Sequence, residues 1–383
     1  MPFRVDIAPD RYRWAVERSR VDAGELQRKF PKLSEWQAGE ASPTLKQLEK
    51  FAAATKSPIG YFFLSEPPEE RLPVADFRTV ADASQVSPSP DLLDTLYMMQ
   101  RRQAWMREAL VDAEADPLAF VGSARLVDEP GAVGREMRRA LDFDGGWASE
   151  VRSWQDAVSE LRRAVERLGV MAVINGVVGN NTHRQLDVEE FRGFALADPY
   201  APLIFVNGAD AKSAQMFTLA HELAHIWLGE EGLSGFEFLL PGGTDVEEWC
   251  NRAAAEFLAP ARELMARWEE TKRAANPYQA LALAFKVSPV VAARRTLDLG
   301  LISRGEFHDF YRDHVGRERG PGASSSGGDF YNNQNTRVGE LFATQVLHAA
   351  MEGRIGFKEA YDLTGLRGGT FQKYARRLGF DLP

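Results

Sequence analysis

The chain of 383 residues has a single cysteine, Cys250, so it can form no internal disulfide, and it offers no Cys-x-x-Cys pair to grip a metal. No apolar run approaches the roughly 20 residues needed to cross a bilayer as a helix, which excludes a helical membrane protein. Met1-Pro2-Phe3-Arg4-Val5-Asp6 lacks the basic start and apolar stretch of a secretory segment, so none is expected. There is no G-x-x-x-x-G-K-S/T run to cradle phosphate and no G-x-S-x-G elbow to present a nucleophilic serine. Positive charge is short as well. Lys and Arg number 46 against 55 Asp and Glu, and the net charge of −9 argues against a surface that coats nucleic acid. Residues 1–64 reverse the sign, with eleven Lys and Arg against eight Asp and Glu. What remains is ordinary: 44% hydrophobic and 26% charged residues, typical of a soluble globular chain with room for two or three domains.

Histidine is scarce too, with six in the chain, yet two of them stand four apart in His221-Glu222-Leu223-Ala224-His225. One helical turn separates the imidazoles, so both can reach one ion, and Glu222 lies about 100° round the helix, placed to take a proton from water rather than to ligate. Met216, Leu219, Ala220, Leu223 and Trp227 recur at helical spacing as an apolar stripe flanked by the two histidines. Two core histidines satisfied by backbone carbonyls are the bland alternative.

A catalytic zinc site takes three protein ligands and leaves one position open. The next helical pattern, Asp245 to Leu258, ends before Pro260 and carries three candidate glutamates. At about 100° per residue, Val246, Trp249, Cys250, Ala253, Ala254, Phe257 and Leu258 cover one half of it. Glu247 falls at the edge of that half, where a carboxylate must be paired, protonated or bound to metal, and Glu248 and Glu256 point away as a solvated face. Glu247 is therefore the expected third ligand to a single Zn2+ ion. Cys250, inside the apolar arc, is expected to pack as a small hydrophobe. Ser213, Thr218 and Asn251 are candidates to orient the imidazoles from behind. His183, ahead of a presumed substrate strand, is a candidate oxyanion donor. His308, His314 and His348 read as ordinary histidines.

These residues resemble the ImmA/IrrE family of zinc metallopeptidases. The stretches that carry the likeness are Glu190-Phe191-Arg192-Gly193-Phe194-Ala195-Leu196, Ala201 to Asn207, Phe217-Thr218-Leu219-Ala220 with the H-E-L-A-H run, and Glu247 to Pro260. The resemblance implies His221, His225 and Glu247 as ligands and Glu222 as the catalytic glutamate, over about residues 165–315. It implies cytoplasmic action on a transcriptional repressor or a toxin–antitoxin partner in stress or mobile-element regulation.

The expected fold class is α+β, mostly helical: a small zincin-like peptidase domain between an N-terminal all-helical unit and a small C-terminal helical piece. Residues 1–64 carry four helical patterns, Arg11 to Arg20, Ala23 to Phe30, Leu33 to Gly39 and Thr44 to Thr55, the last with Leu45, Leu48, Phe51 and Ala52 on one face. They resemble the helix-turn-helix of phage-repressor-type proteins. The helix that should enter the major groove is shortened, however, and Lys32, Ser34, Glu35 and Gln37 offer one cation. DNA contact through residues 1–64 and a docking role both stay open.

Residues 65–90, rich in Pro, Ser and Glu, read as a connector in which Pro73 to Arg78 can dock on the next domain. Helical patterns fill about 91–114, 129–141 and 148–168, with Met98, Met99 and Met106 as core filler. The region 91–165 leads into a peptidase domain at 166–315. There Val170 to Ile174, Phe191 to Ala197 and Leu203 to Asn207 have strand character. An edge strand could pair with an extended substrate and present its scissile carbonyl. Tyr278 to Leu297 could form a second helix-turn-helix that serves packing. A flexible linker is expected at 316–328 and a last helical piece at 329–383, with helix over 337–379. The reading is a zinc endopeptidase acting on a protein, with no membrane partner. The alternative is a DNA-binding regulator or antitoxin whose peptidase domain is a sensor.

Overall fold

The computed structural model describes residues 3–76, 87–143, 145–234, 244–318 and 330–381. The chain divides into two compact units, Met1–Pro73 with Ala81–Leu96, and Val74–Val80 with Tyr97–Pro383. Much of the expected connector (77–86) and linker (319–328) lies outside the described residues.

The first unit holds α1 (Pro9–Ser19), α2 (Ala23–Lys29), α3 (Leu33–Ala38), α4 (Leu45–Ala54) and a 3-10 turn at Ile59–Phe63. Pro9 starts α1 two residues before the periodic pattern, because proline's fixed φ suits a first helical turn. Thr44 and Gln47 close a reciprocal capping box on α4. Tyr12, Trp36, Phe51 and Phe62 are buried together, with Tyr12 and Trp36 ring centres 5.8 Å apart. Each fully buried apolar ring contributes roughly 1.5–3 kcal/mol. Leu45, expected on the packed face of α4, is instead 44% exposed, since it sits at the first position of the helix, beyond the buried stripe. α3 is six residues long and turns Leu33 and Trp36 inward.

In the second unit, β1 (Ala75–Asp76) precedes α5 (Pro90–Asp112, from Tyr97 onward), α6 (Pro130–Ala140), α7 (Trp147–Glu150) and α8 (Trp154–Arg167). The single helix expected over 148–168 is two, broken where Ser153 caps α8 through its hydroxyl to the Asp156 N–H at 3.1 Å. Then come β2 (Met171–Asn175), β3 (Val177–Val178), β4 (Asn181–Gln185), β5 (Gly193–Leu196), β6 (Leu203–Asn207), α9 (Lys212–Leu228) and β7 (Gly232–Ser234). The rest is helical: α10 (Asp245–Leu258), α11 (Ala261–Thr271), α12 (Pro277–Phe285), α13 (Pro289–Asp298), α14 (Arg304–Glu318), α15 (Phe330–Val338), α16 (Glu340–Met351), α17 (Phe357–Thr364) and α18 (Gly368–Arg377). This is the mostly helical α+β class expected.

Five strands form one mixed sheet in the order β1-β7-β5-β6-β2, with β2 parallel to β6, β5 antiparallel to both β6 and β7, and β1 parallel to β7. β2 and β6 are buried along their whole length, which is why they read as continuous apolar runs rather than alternating ones. β3 and β4 make a separate hairpin across the Gly179-Asn180 turn. Its second strand is polar and mostly exposed, so it carried no sequence signal.

α9 is buried from Gln215 through Trp227 between the sheet, α8 and α10. α6 presses against α10 at Gly134, where an added Cβ would stand 2.5 Å from the Ala253 carbonyl oxygen. That close approach, with α13 on another side, corrects the expectation for Glu256. It is not on a solvated face but 5% exposed, ion-paired with Arg295, with Arg135 at 3.3 Å. Glu248 is exposed as expected.

Candidate metal centre

The helix carrying the two histidines is set at both ends. Ala211 offers no side-chain cap, and the Gln215 amide fixes the preceding loop by donating to the Asp210 and Gly208 carbonyls at 2.7 and 3.1 Å. At the other end Gly229 takes a left-handed φ of 71°, and the Glu230 N–H bonds the His225 carbonyl at 3.1 Å. The third residue arrives on α10, whose N-cap Thr244 accepts the Glu247 N–H at 3.3 Å. Asp245, Glu247 and Glu248 in the first turn suit the positive end of the helix dipole.

Three side chains then converge. His221 Nε2 and His225 Nε2 stand 3.1 Å apart, and Glu247 reaches both, Oε1 to His225 at 3.1 Å and Oε2 to His221 at 3.2 Å. The possible ligand atoms lie within 4.8 Å of one another, and all three residues are buried. Burial acts to raise the Glu247 carboxyl, but the two imidazoles outweigh it and hold the group well below the usual carboxylate range. His221 is raised: burial opposes its charged form, and Glu247, Glu222 and Asn251 together overcome that. His225 is lowered, chiefly by burial. An ionised carboxylate facing two ring nitrogens, shut away from water, is a donor set suited to a cation that takes nitrogen and oxygen ligands.

Glu222 does not join the triad. It is fully buried, and burial raises its carboxyl to about 8, against the lowering influence of His221 and of the Ser234 hydroxyl. It rests against the start of β5, where a Cβ on Gly193 would fall 2.8 Å from Glu222 Oε1. A buried carboxyl beside such a cluster is a candidate proton carrier.

Of the other residues expected near the site, Asn251 interacts with the His221 ring. Thr218 is 2% exposed, its methyl directed at Gly193. Ser213 lies half-buried in the first turn of α9, two turns before His221. His183 is exposed on β4, apart from the buried cluster. Cys250 is completely buried, and burial raises its thiol, as suits a small hydrophobe. Two contributors were not foreseen. Gly193 had a legible signal, since a glycine inside a strand marks a close approach. Ser234 had none, because β7 spans three residues.

No curated protein matches the chain. Residues 338–377, which take in α16 to α18, match a domain of unknown function, DUF8813. Residues 165–297 match the family model of the IrrE N-terminal-like domain, Peptidase_M78, and span β2 through most of α13 with all four residues of the centre. The likeness to the ImmA/IrrE family thus rests on residues 165–297, where that match implies a metallopeptidase-type domain.

Proposed function

We propose that this chain is a zinc-dependent endopeptidase whose ion is held by His221, His225 and Glu247, with Glu222 as general acid and base. The carrying observation is the buried convergence of two imidazoles and one ionised carboxylate inside the matched domain. Two nitrogens and one oxygen with a fourth position to spare suit zinc among the common ions. Zinc bound there supplies Lewis acidity, which polarises a carbonyl oxygen and acidifies water. Glu222, buried beside the centre, would take the proton of the attacking water and give it to the departing amine as the peptide bond breaks. Ser234 stands near that carboxyl and Gly193 leaves room for it. Asn251 steadies the His221 ring.

The substrate is a protein, offered as an extended segment along β7, which pairs with β5 through Ser234 opposite Gly193, the residue against Glu222. β1 already pairs with β7, Ala75 with Gly232 and Asp76 with Leu233. A peptide that seeks the outer side of β7 must displace β1, so the enzyme is latent until a partner does so. In keeping with the family likeness, that partner is a repressor or the product of a neighbouring gene in stress or mobile-element regulation. A DNA-reading role gains no support from a six-residue α3 with Leu33 and Trp36 turned inward.

Purified protein should hold one zinc per chain. His225→Ala should lose it, and Glu222→Gln should keep it while cleavage of the partner is abolished. A zinc-free wild-type protein after zinc loading, or a Glu222→Gln variant that still cleaves, would overturn the assignment.

A further inference from the structure

Away from the metal centre, a cleft of about 340 Å³ opens between α5, the β3–β4 turn and the C-terminal helices. Three arginines line it, Arg101, Arg102 and Arg337, against one acidic residue, Asp362. Arg102 is 4% exposed and bonds backbone oxygens, Leu363 through Nε at 3.0 Å and Arg337 through Nη1 at 3.1 Å, with its charge over the Phe342 ring. Burial lowers it to about 10, with Arg101 adding to the effect and Tyr374 partly opposing it. Burial lowers Arg337 as well. Among the described residues neither Arg101 nor Arg337 pairs with a carboxylate, and Asp362 is itself 3.9 Å from Arg367. In a chain with nine excess negative charges, and with Arg162, Arg138 and Arg295 all paired with glutamates, this gathering of unpaired cations stands apart.

Arg102 is buried and Arg337 half-buried beside the exposed Arg101, so their like charges repel with solvation lost in part, and a negative group would relieve the arrangement. We infer that the cleft binds a phosphate-bearing small molecule, with Arg101 and Arg337 on the phosphate and Asp362 on a hydroxyl or amino group of the same ligand. Guanidinium groups match phosphate oxygens in geometry as well as charge. The volume is of the order that holds a sugar phosphate or a mononucleotide. Asp362 disfavours a bare polyanion and selects a ligand that also carries donors. Two features set the walls. The Asn180 amide donates to the Gly365 carbonyl at 3.1 Å, joining the turn to the C-terminal helices. Gly179, at φ 56°, lets the turn approach the Met98 methyl, which a Cβ would meet at 3.2 Å. An occupant would therefore touch the peptidase domain and the DUF8813 segment together.

The test uses the full chain, titrated calorimetrically with inorganic phosphate, ribose 5-phosphate, the four ribonucleoside 5′-monophosphates and a single-stranded oligonucleotide. The expected result is saturable binding of at least one sugar phosphate or mononucleotide, tighter than inorganic phosphate. In R101Q/R337Q that affinity should fall at least tenfold with the far-ultraviolet spectrum unchanged, and R101K/R337K should restore part of it. If the double variant loses its fold, the exposed Arg101→Gln alone should still weaken binding severalfold. No binding by any monomeric phosphate at 5 mM, equal binding by the variants, or a preference for the oligonucleotide over every mononucleotide would overturn the inference. The metal centre plays no part in this test.

Discussion

Gly193→Ala is the sharpest probe of how Glu222 is held. A Cβ at that position would stand 2.7 Å from Thr218 Cγ2, 2.8 Å from Glu222 Oε1 and 2.9 Å from the Phe205 carbonyl oxygen. Carbon atoms pack best at about 3.5–4.0 Å, so the methyl group is roughly 1 Å too close to several atoms at once. None of them yields easily. Phe205 lies on β6, hydrogen-bonded on both sides by β5 and β2, and Thr218 and Glu222 are sealed within α9. Overpacking of this kind costs about 1–3 kcal/mol, and the gain from a less flexible unfolded chain offsets only about 0.4–1 kcal/mol. The net loss of about 1–2 kcal/mol should lower the melting temperature by a few degrees. The functional effect should be larger, because a shift of Glu222 Oε1 by about 1 Å can cost on the order of 100-fold in rate. The triad itself is not touched by the added methyl, so zinc stoichiometry should hold. Metal analysis, thermal unfolding and partner cleavage on one preparation separate these effects. A variant as stable and as active as wild type would refute the claim that Gly193 makes room for the base, and loss of zinc would refute the claimed independence of the ligands.

Gly134→Ala should also destabilise, since its Cβ would lie 2.5 Å from the Ala253 carbonyl oxygen and 3.1 Å from the Phe257 nitrogen, an overlap that exceeds the roughly 1 kcal/mol gained in helix propensity; a urea midpoint equal to or above wild type would refute it. Glu166, on α8 beside Arg162 and the Leu341 N–H, is raised by burial from 4.5 to about 7 despite Arg162. Between those two values the folded state holds a proton that the unfolded state has released, so this residue's contribution to stability falls as pH rises through about 4.5 to 7. Glu166→Gln should remove that slope from urea midpoints measured between pH 5 and 8, and parallel curves would count against it. Replacing residues 74–76 with Gly-Ser-Gly, which weakens the β1–β7 pairing, should speed partner cleavage and tighten binding of a peptide hydroxamate; no change in either would show that β1 does not guard the edge.

How far the sequence could be read depended on whether a residue's surroundings were local or distant. The helices of the first unit declared themselves through apolar spacing and β2, β5 and β6 through short apolar runs, because each buries its own side chains. β1 and β7, at two and three residues, are too short for any period to register, and the polar β4 hides no face at all. Glu256 was misjudged for a related reason. Its angle on α10 is outward, but α6 and α13 pack there from elsewhere in the chain, and no property of α10 announces them. Glu247 shows the contest most clearly. Thr244-Asp245-Val246-Glu247 has the spacing of a capping box, in which the glutamate would turn back to the Thr244 N–H and serve only the helix end. Half of that box is present, since Thr244 accepts the Glu247 N–H. The carboxylate instead faces His221 and His225, where two buried imidazoles stabilise its charge more than one exposed amide could. A carboxylate that joins the cluster and one that caps the helix are indistinguishable from local spacing, and the pair of histidines on α9 decides which way this side chain turns.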